Sequence, residues 1–229
     1  MGGTQIGREY RALFANKLCM NKYVIMRARL TDVPEIARLF TESFIDSVLH
    51  HCGGRLPNPQ AMQDVFTLVY QAEPTAALLA KEQTGQVLGY CFAPVGLSQL
   101  WWQALTGGHL IKWAWRWLTG QYGFGLYPVK IIVLNKVAFL RSAATPGKIA
   151  NARILSIAVT PAARGRGIAS ALMAEADKYF KDNKVQRVRL EVRPDNQPAI
   201  RVYEKSGYYP GGITYDSQGP WLIMFKEIS

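Results

Sequence analysis

Apolar and polar positions along the chain switch between two periods, and the switches mark out the elements. Tyr23 to Ala28 (YVIMRA) reads as a strand. Thr31-Asp32, with Pro34 and Glu35 behind it, signals a helix start, and Ile36, Leu39, Phe40 and Phe44 then share one helical face. Gly53-Gly54 and Pro57-Asn58-Pro59 break the chain. A second helical face follows in Met62, Val65, Phe66, Val69 and Tyr70. Residues 76–81 and 87–93 predict two strands joined by the turn Gln83-Thr84-Gly85-Gln86, ended by Pro94 and Gly96. Toward the C-terminus, residues 185–193 (VQRVRLEVR) read as a strand, and Pro194 to Pro198 start a short helix over 199–205. Gly207 ends that helix. Two last strands, 208–215 and 221–227, flank the turn Asp216-Ser217-Gln218-Gly219.

The densest pattern is ILSIAVTPAARGRGIASALMAEADKYF, from Ile154 to Phe180. A short apolar run of β-formers is closed by Pro161. Arg164-Gly165-Arg166-Gly167 follows, and then Ile168, Leu172, Met173, Ala176 and Phe180 recur at helical spacing. A strand running through a glycine turn into a helix makes an anion site, because the first helical N–H groups lack carbonyl partners and the dipole favours negative charge. The residues alone leave two readings open: a diphosphate cradle or a solvated basic turn. A P-loop is excluded, since Gly167 is followed by Ile168 and Ala169 instead of Lys and Ser or Thr. A dinucleotide fingerprint matches weakly, with two glycines and then Ser170 in the third place.

Residues 97–148 stand apart. They hold five of the six tryptophans: Trp101, Trp102, Trp113, Trp115 and Trp117. Helical segments are predicted near 98–106, 109–119 and 129–141, with Leu110, Trp113, Trp117 and Leu118 on one face of the second. The expectation is that these helices pack on the domain and roof an acceptor pocket. A basic, Trp-bearing amphipathic helix lying on a membrane surface stays open as the alternative.

Composition narrows the classes. Nearly half of the 229 residues are apolar, which suits one folded domain. No run of ~18 apolar residues predicts a spanning helix, and no signal-peptide core is seen, so a cytoplasmic location is expected. Cys19, Cys52 and Cys91 are far apart and read as free thiols, with no metal site expected. The net charge is +11, and no Asp or Glu occurs from Gln83 to Ala174, a span carrying nine Lys and Arg. An acidic cofactor, acceptor, membrane or nucleic acid would be attracted there, and charge alone does not choose.

Arg164-x-x-Gly167-x-Ala169, placed directly after ILSIAVTP, resembles the signature of the GNAT superfamily of N-acetyltransferases. Leu190-Glu191-Val192-Arg193-x-x-Asn196-x-x-Ala199-x-x-x-Tyr203-x-x-x-Gly207-Tyr208 is similar to a segment of members acting on ribosomal-protein N-termini. The resemblance implies one α/β domain over 23–229, after an extension at 1–22. Its mixed, mostly antiparallel sheet is flanked by helices, with the 97–148 insertion between the third and fourth strands. It implies acetyl-CoA as cosubstrate and an amine acceptor. The diphosphate would lie on Arg164, Gly165, Arg166, Gly167, Ile168, Ala169 and Ser170. Pantetheine would pair with the backbone around Ile157, Ala158 and Val159 and bond Asn196. Glu191 is the implied base and Tyr203 the implied acid.

The residue chemistry agrees with those roles. Acyl transfer needs a group that takes the amine's proton and one that protonates the departing thiolate. Glu191 is expected mid-strand in an apolar setting, where burial raises a carboxyl's pKa, and a phenol suits the acid. One departure stands out. Ser156 and Ala158 occupy the central strand where many members carry a Glu, which leaves Glu191 or a water chain as base. The alternatives in other classes are a non-catalytic acyl-CoA-binding module and a membrane-surface protein. A homodimer stays open, and nucleic acid ranks last because no RNA-binding aromatic motif is present.

Overall fold

The computed structural model describes residues 23–123, residue 150 and residues 152–228. The N-terminal extension and the helix predicted at 129–141 lie outside the described residues. In chain order the elements begin with β1 (Tyr23–Arg27), α1 (Val33–Ser43), α2 (Ile45–His51), α3 (Pro59–Ala72), β2 (Ala77–Glu82) and β3 (Val87–Phe92). Then come α4 (Ser98–Thr106), α5 (His109–Leu118), β4 (Ala152–Arg153), β5 (Ser156–Val159) and α6 (Ile168–Asp182). The chain closes with β6 (Arg187–Val192), α7 (Gln197–Lys205), β7 (Tyr209–Asp216) and β8 (Gly219–Glu227).

The helical face predicted through Phe44 is interrupted at that residue. Phe44 leaves helical geometry (φ −124°, ψ 35°), and the chain restarts as α2. At the start of α1 the predicted cap works differently too. Asp32 accepts from the Arg29 N–H at 2.8 Å and pairs with Lys81 at 2.5 Å, so its carboxylate ties the helix start to β2.

The strands form two four-stranded halves, ordered β1-β2-β3-β5 and β4-β6-β8-β7. β4 runs parallel to β6, and the other described pairs are antiparallel. The expected sheet is therefore present, but it opens down the middle. One core spans both halves. Ile168, Leu172, Met173, Ala176 and Phe180 of α6 pack against Leu78 and Leu88 of the first half and Val188, Leu190 and Met224 of the second. A second core lies on the opposite face of the first half, where Ile36, Leu39 and Phe66 meet Leu79, Tyr90, Phe92 and Ala158. Each such side chain contributes ~1.5–3 kcal/mol when fully covered, so the opening is held between two rigid layers.

The insertion leaves β3 and docks on α3 through a buried carboxylate that the sequence reading did not single out. Asp64 is 2% exposed. It takes hydrogen bonds from the Tyr122 hydroxyl at 2.7 Å and Gln60 at 3.2 Å, and it pairs with Lys112 at 3.0 Å and Arg116 at 2.5 Å. Burial alone would push this carboxyl up, and the Tyr122, Lys112 and Arg116 bonds outweigh it and hold it below the usual range. Of the three helices expected to pack on the domain, the two described ones do so, α4 with Ala104 buried and α5 through polar side chains. Trp102 and Trp115 of the tryptophan stripe are both 65% exposed.

Candidate active site

The opening is made by one stretch serving two sheets. Ala152 and Arg153 pair in parallel with Val188 and Arg189, and the Ile154 N–H donates to the Arg189 carbonyl at 3.0 Å. A β-bulge follows: the Leu155 N–H bonds the Phe92 carbonyl at 2.8 Å while Ser156 also stands opposite Phe92. From there the chain runs antiparallel to β3 as far as Val159, opposite Gly89. β5 thus ends one half and diverges from β6, leaving a V-shaped split. Thr160 donates to Leu88 across this ladder. By the alternation of an antiparallel pair, Ser156, Ala158 and Thr160 bond toward β3, and the backbone of Ile157 and Val159 faces the split. An extended chain bearing amides fits that edge as an added strand.

At the end of β5 the chain turns through Pro161–Ala163 into α6. Gly165 and Gly167 both take left-handed φ, 78° and 77°, which glycine adopts without strain. Gly167 caps α6 with no side-chain bond, and the first helical bond there is Ala171 N–H to the Gly167 carbonyl at 3.0 Å. The N–H groups of Ile168, Ala169 and Ser170 precede it and have no carbonyl within the helix. Arg164, Gly165, Arg166 and Gly167 are exposed while Ile168 is buried, so the loop is open outward and pinned from beneath. A Cβ on Gly165 would meet nothing within 4 Å. That open space above backbone donors suits a diphosphate. Arg166 is shared with Glu82 at 3.4 Å, whereas Arg164 lies beside the Val159 carbonyl at 3.5 Å with no carboxylate partner among the described residues.

Glu191 and Tyr203 lie on opposite faces of β6. Val188, Leu190 and Val192 of β6 point into the α6 core, so Arg187, Arg189 and Glu191 point the other way. Tyr203 sits in the α6 core, 8% exposed, in one cluster with Ile157, Val192 and Cys91. Burial, with the Cys91 thiol as a second cause, pushes its phenol above the ordinary tyrosine value. The hydroxyl is therefore protonated throughout the neutral range. Asn196 caps α7 by accepting from the Ala199 N–H at 3.2 Å, which leaves its NH2 group to donate.

The apolar setting expected for Glu191 is not found. Its Oε1 lies 2.7 Å from Arg189 Nε, in ion-pair contact without the alignment of a hydrogen bond, and 3.9 Å from Arg153. Arg153 and Arg189 are cross-strand partners, and all three side chains are 15–24% exposed. The signal was in the sequence: Arg189 is two residues before Glu191 on one strand and so must share its face. Burial lowers the Arg153 guanidinium from its usual value, with Glu191 pulling it up and Arg189 pushing it further down. Ser156 is engaged at 2.7 Å with the Tyr90 hydroxyl. Beyond Glu191, Arg193 is held by Asp216 and Gln218 at 3.1 Å and stacks 3.9 Å over Trp221. Gln218 in turn accepts from Ser47 of α2 at 2.8 Å, so the β7–β8 turn and α2 meet over this side. Neither that clamp nor the Arg pair was singled out from the sequence.

A split central strand, a glycine-turned anion cradle and the Glu191–Tyr203 pair fall within a region, residues 34–208, that matches the model of the Acetyltransferase (GNAT) family. The chain belongs to the GNAT family. Two curated relatives are similar to it. One, named as a ribosomal protein bS18-alanine N-acetyltransferase from Bacillus subtilis, is 40% identical over 34% of this chain and 55% of its own length. The chain thus spans about half the length of that relative. The other, an N-alpha-acetyltransferase of Sulfurisphaera tokodaii, is 26% identical over 85% of both chains. Among solved structures, a GNAT phosphinothricin acetyltransferase from Sinorhizobium meliloti in complex with AcCoA shares the fold at TM-score 0.56 and 14% identity, covering 91% of this chain and 89% of its own.

Proposed function

We propose that this protein transfers the acetyl group of acetyl-CoA to a primary amine, and that the amine is a peptide N-terminus. What supports the reading is the split between β5 and β6, with β5 running through the Gly165–Gly167 turn into α6. The cradle N–H groups and Arg164 hold the diphosphate. Ile157 and Val159 pair with the pantetheine amides, and the Asn196 NH2 group donates to the same arm.

Attack of the neutral amine on the thioester carbon makes the C–N bond and an oxyanion, and collapse of that oxyanion breaks the C–S bond. Glu191, directly or through water, takes the proton that the amine loses. Tyr203 gives its proton to the departing sulfur, so thiolate and phenol exchange one proton and charge balances. The peptide reading draws on the Glu191–Tyr203 segment and on the relatives named for N-terminal and ribosomal-protein acetylation. A second reading, an amine on a small anionic molecule, is favoured by two guanidiniums gathered around one carboxylate on the acceptor face.

The test is thiol release from acetyl-CoA over a panel of peptides, free amino acids and amino-sugar phosphates. At least tenfold higher kcat/KM for peptides supports the first reading, and the reverse order supports the second. Acetyl-CoA binding with no thiol release from any amine would make the protein a binder instead of an enzyme.

A further inference from the structure

We infer that Arg153 selects the acceptor: its guanidinium binds a carboxylate that the acceptor carries close to the reactive amine. The inference rests on the acetyl-transfer reading above and narrows it. β4 sets Arg153 beside Arg189 in parallel register, and both reach the same carboxylate, Glu191. They share it unequally. Glu191 Oε1 is 2.7 Å from Arg189 and 3.9 Å from Arg153. The longer separation is beyond hydrogen-bond range. Glu191 is also the one carboxylate within ion-pair distance of Arg153 among the described residues. Arg153 Nε is buried with no hydrogen-bond partner. Arg193, just beyond β6, shows the contrast, since Asp216 and Gln218 hold it at 3.1 Å and Trp221 lies beneath it.

Two guanidiniums and one carboxylate leave a net positive charge in a place mostly closed to water. A buried charge calls for a partner, and Arg189 already has Glu191. The 15% of the Arg153 side chain that stays exposed is the way in for an outside anion. A guanidinium fork matches a carboxylate with two parallel bonds. Position then sets the reach. The Ile154 N–H still bonds β6 and the Leu155 N–H already bonds β3, so Arg153 stands where the split begins. An amine that gives its proton to Glu191 lies ~2.6–3.2 Å from it, or one water away. With Arg153 3.9 Å from that carboxylate, the acceptor's acid stands only a short distance from its amine. One residue spans ~3.3–3.6 Å. The carboxylate is therefore an acidic side chain in the first two residues of a peptide, or the α-carboxylate of a free amino acid.

The experiment is calorimetry on the full chain loaded with CoA. Peptides of otherwise equal sequence carry Glu second, Gln second, or Gln second with Glu moved to the sixth place. A free amino acid and its amide form the other pair. Glu in second place should bind at least tenfold tighter than Gln, and Glu in sixth place should not. Arg153→Met should bring that ratio close to one while keeping the wild-type circular dichroism and CoA affinity, and Arg153→Lys should recover part of it. A preference for the free amino acid over its amide, lost in the Met variant, keeps Arg153 in this role and moves the acceptor from peptide to amino acid. No preference for either acid in the wild type overturns the inference. So does equal gain from Glu in sixth place, which would be attraction by net charge alone. An acid preference kept by the Met variant, or equal weakening of Glu and Gln peptides, overturns it as well. Binding is read without turnover, so the expected pattern with no thiol release from any acceptor would strike the enzyme reading and leave the carboxylate site standing.

Discussion

Oε1 of Glu191 lies 2.7 Å from Nε of Arg189, on the face of β6 opposite the one that packs toward Tyr203. The proposed base and the proposed acid therefore lie on opposite faces of β6. Glu191→Gln keeps the shape and removes the proposed base. The expected result is a fall in kcat of roughly 10²-fold, the lower end for a general base, with acetyl-CoA affinity unchanged. An unchanged kcat in steady-state kinetics would assign proton removal to water alone.

Tyr203→Phe should lower kcat far more than it weakens acetyl-CoA binding, as for a group needed mainly in the transition state. A pH profile adds a sharper check. Burial holds the phenol above its ordinary value, and the acid role requires the protonated form. Rising pH thus removes that form only above the ordinary tyrosine value, ~10. No alkaline fall in kcat attributable to Tyr203 is expected below that pH. A limb there, absent in the Phe variant, would contradict the buried placement.

Gly167→Val tests the cradle. Gly167 has φ 77°, and its Cβ would have room, with Tyr23 Oη the nearest atom at 3.9 Å. The cost is backbone strain of ~1–2 kcal/mol. Calorimetry should show at least a tenfold loss of CoA affinity with the fold retained by circular dichroism.

Asp64→Ala should be the most destabilising of these changes. It removes the carboxylate that pairs with Arg116 and accepts one Tyr122 hydrogen bond, and breaking a buried pair costs ~3–5 kcal/mol. Lys112 is 46% exposed and adds little. The folded-state pKa of Asp64 is depressed, so its stabilisation is present above the unfolded value, ~3.9, and is lost as pH falls through the folded value. Urea melts of wild type and variant should therefore differ widely at neutral pH and converge in acid. A constant difference down to low pH would show that Asp64 is not held as an ion.

Much of the fold was legible because the apolar periods are clean. The central strand, the turn and α6 follow directly from ILSIAVTP, the Arg-Gly run and the Leu172–Phe180 spacing. The split was not, since nothing in residues 152–159 says that one strand changes sheets at a bulge. The environment of Glu191 was misread by weighing the apolar neighbours Leu190 and Val192, which lie on the other face. For the described part of the insertion, the helix positions near 98–106 and 109–119 were legible but their orientation was not. Which side of an amphipathic helix turns inward depended on Asp64, some fifty residues earlier and visible only once α3 and α5 are packed together.

The most direct test of the central claim is a crystal structure with CoA bound. The account predicts the diphosphate on the N–H groups of Gly165 to Ser170, pantetheine laid along Ile157 and Val159, and the sulfur in the split within reach of the Tyr203 hydroxyl. CoA bound elsewhere, or with its thiol turned away from both Glu191 and Tyr203, would contradict it.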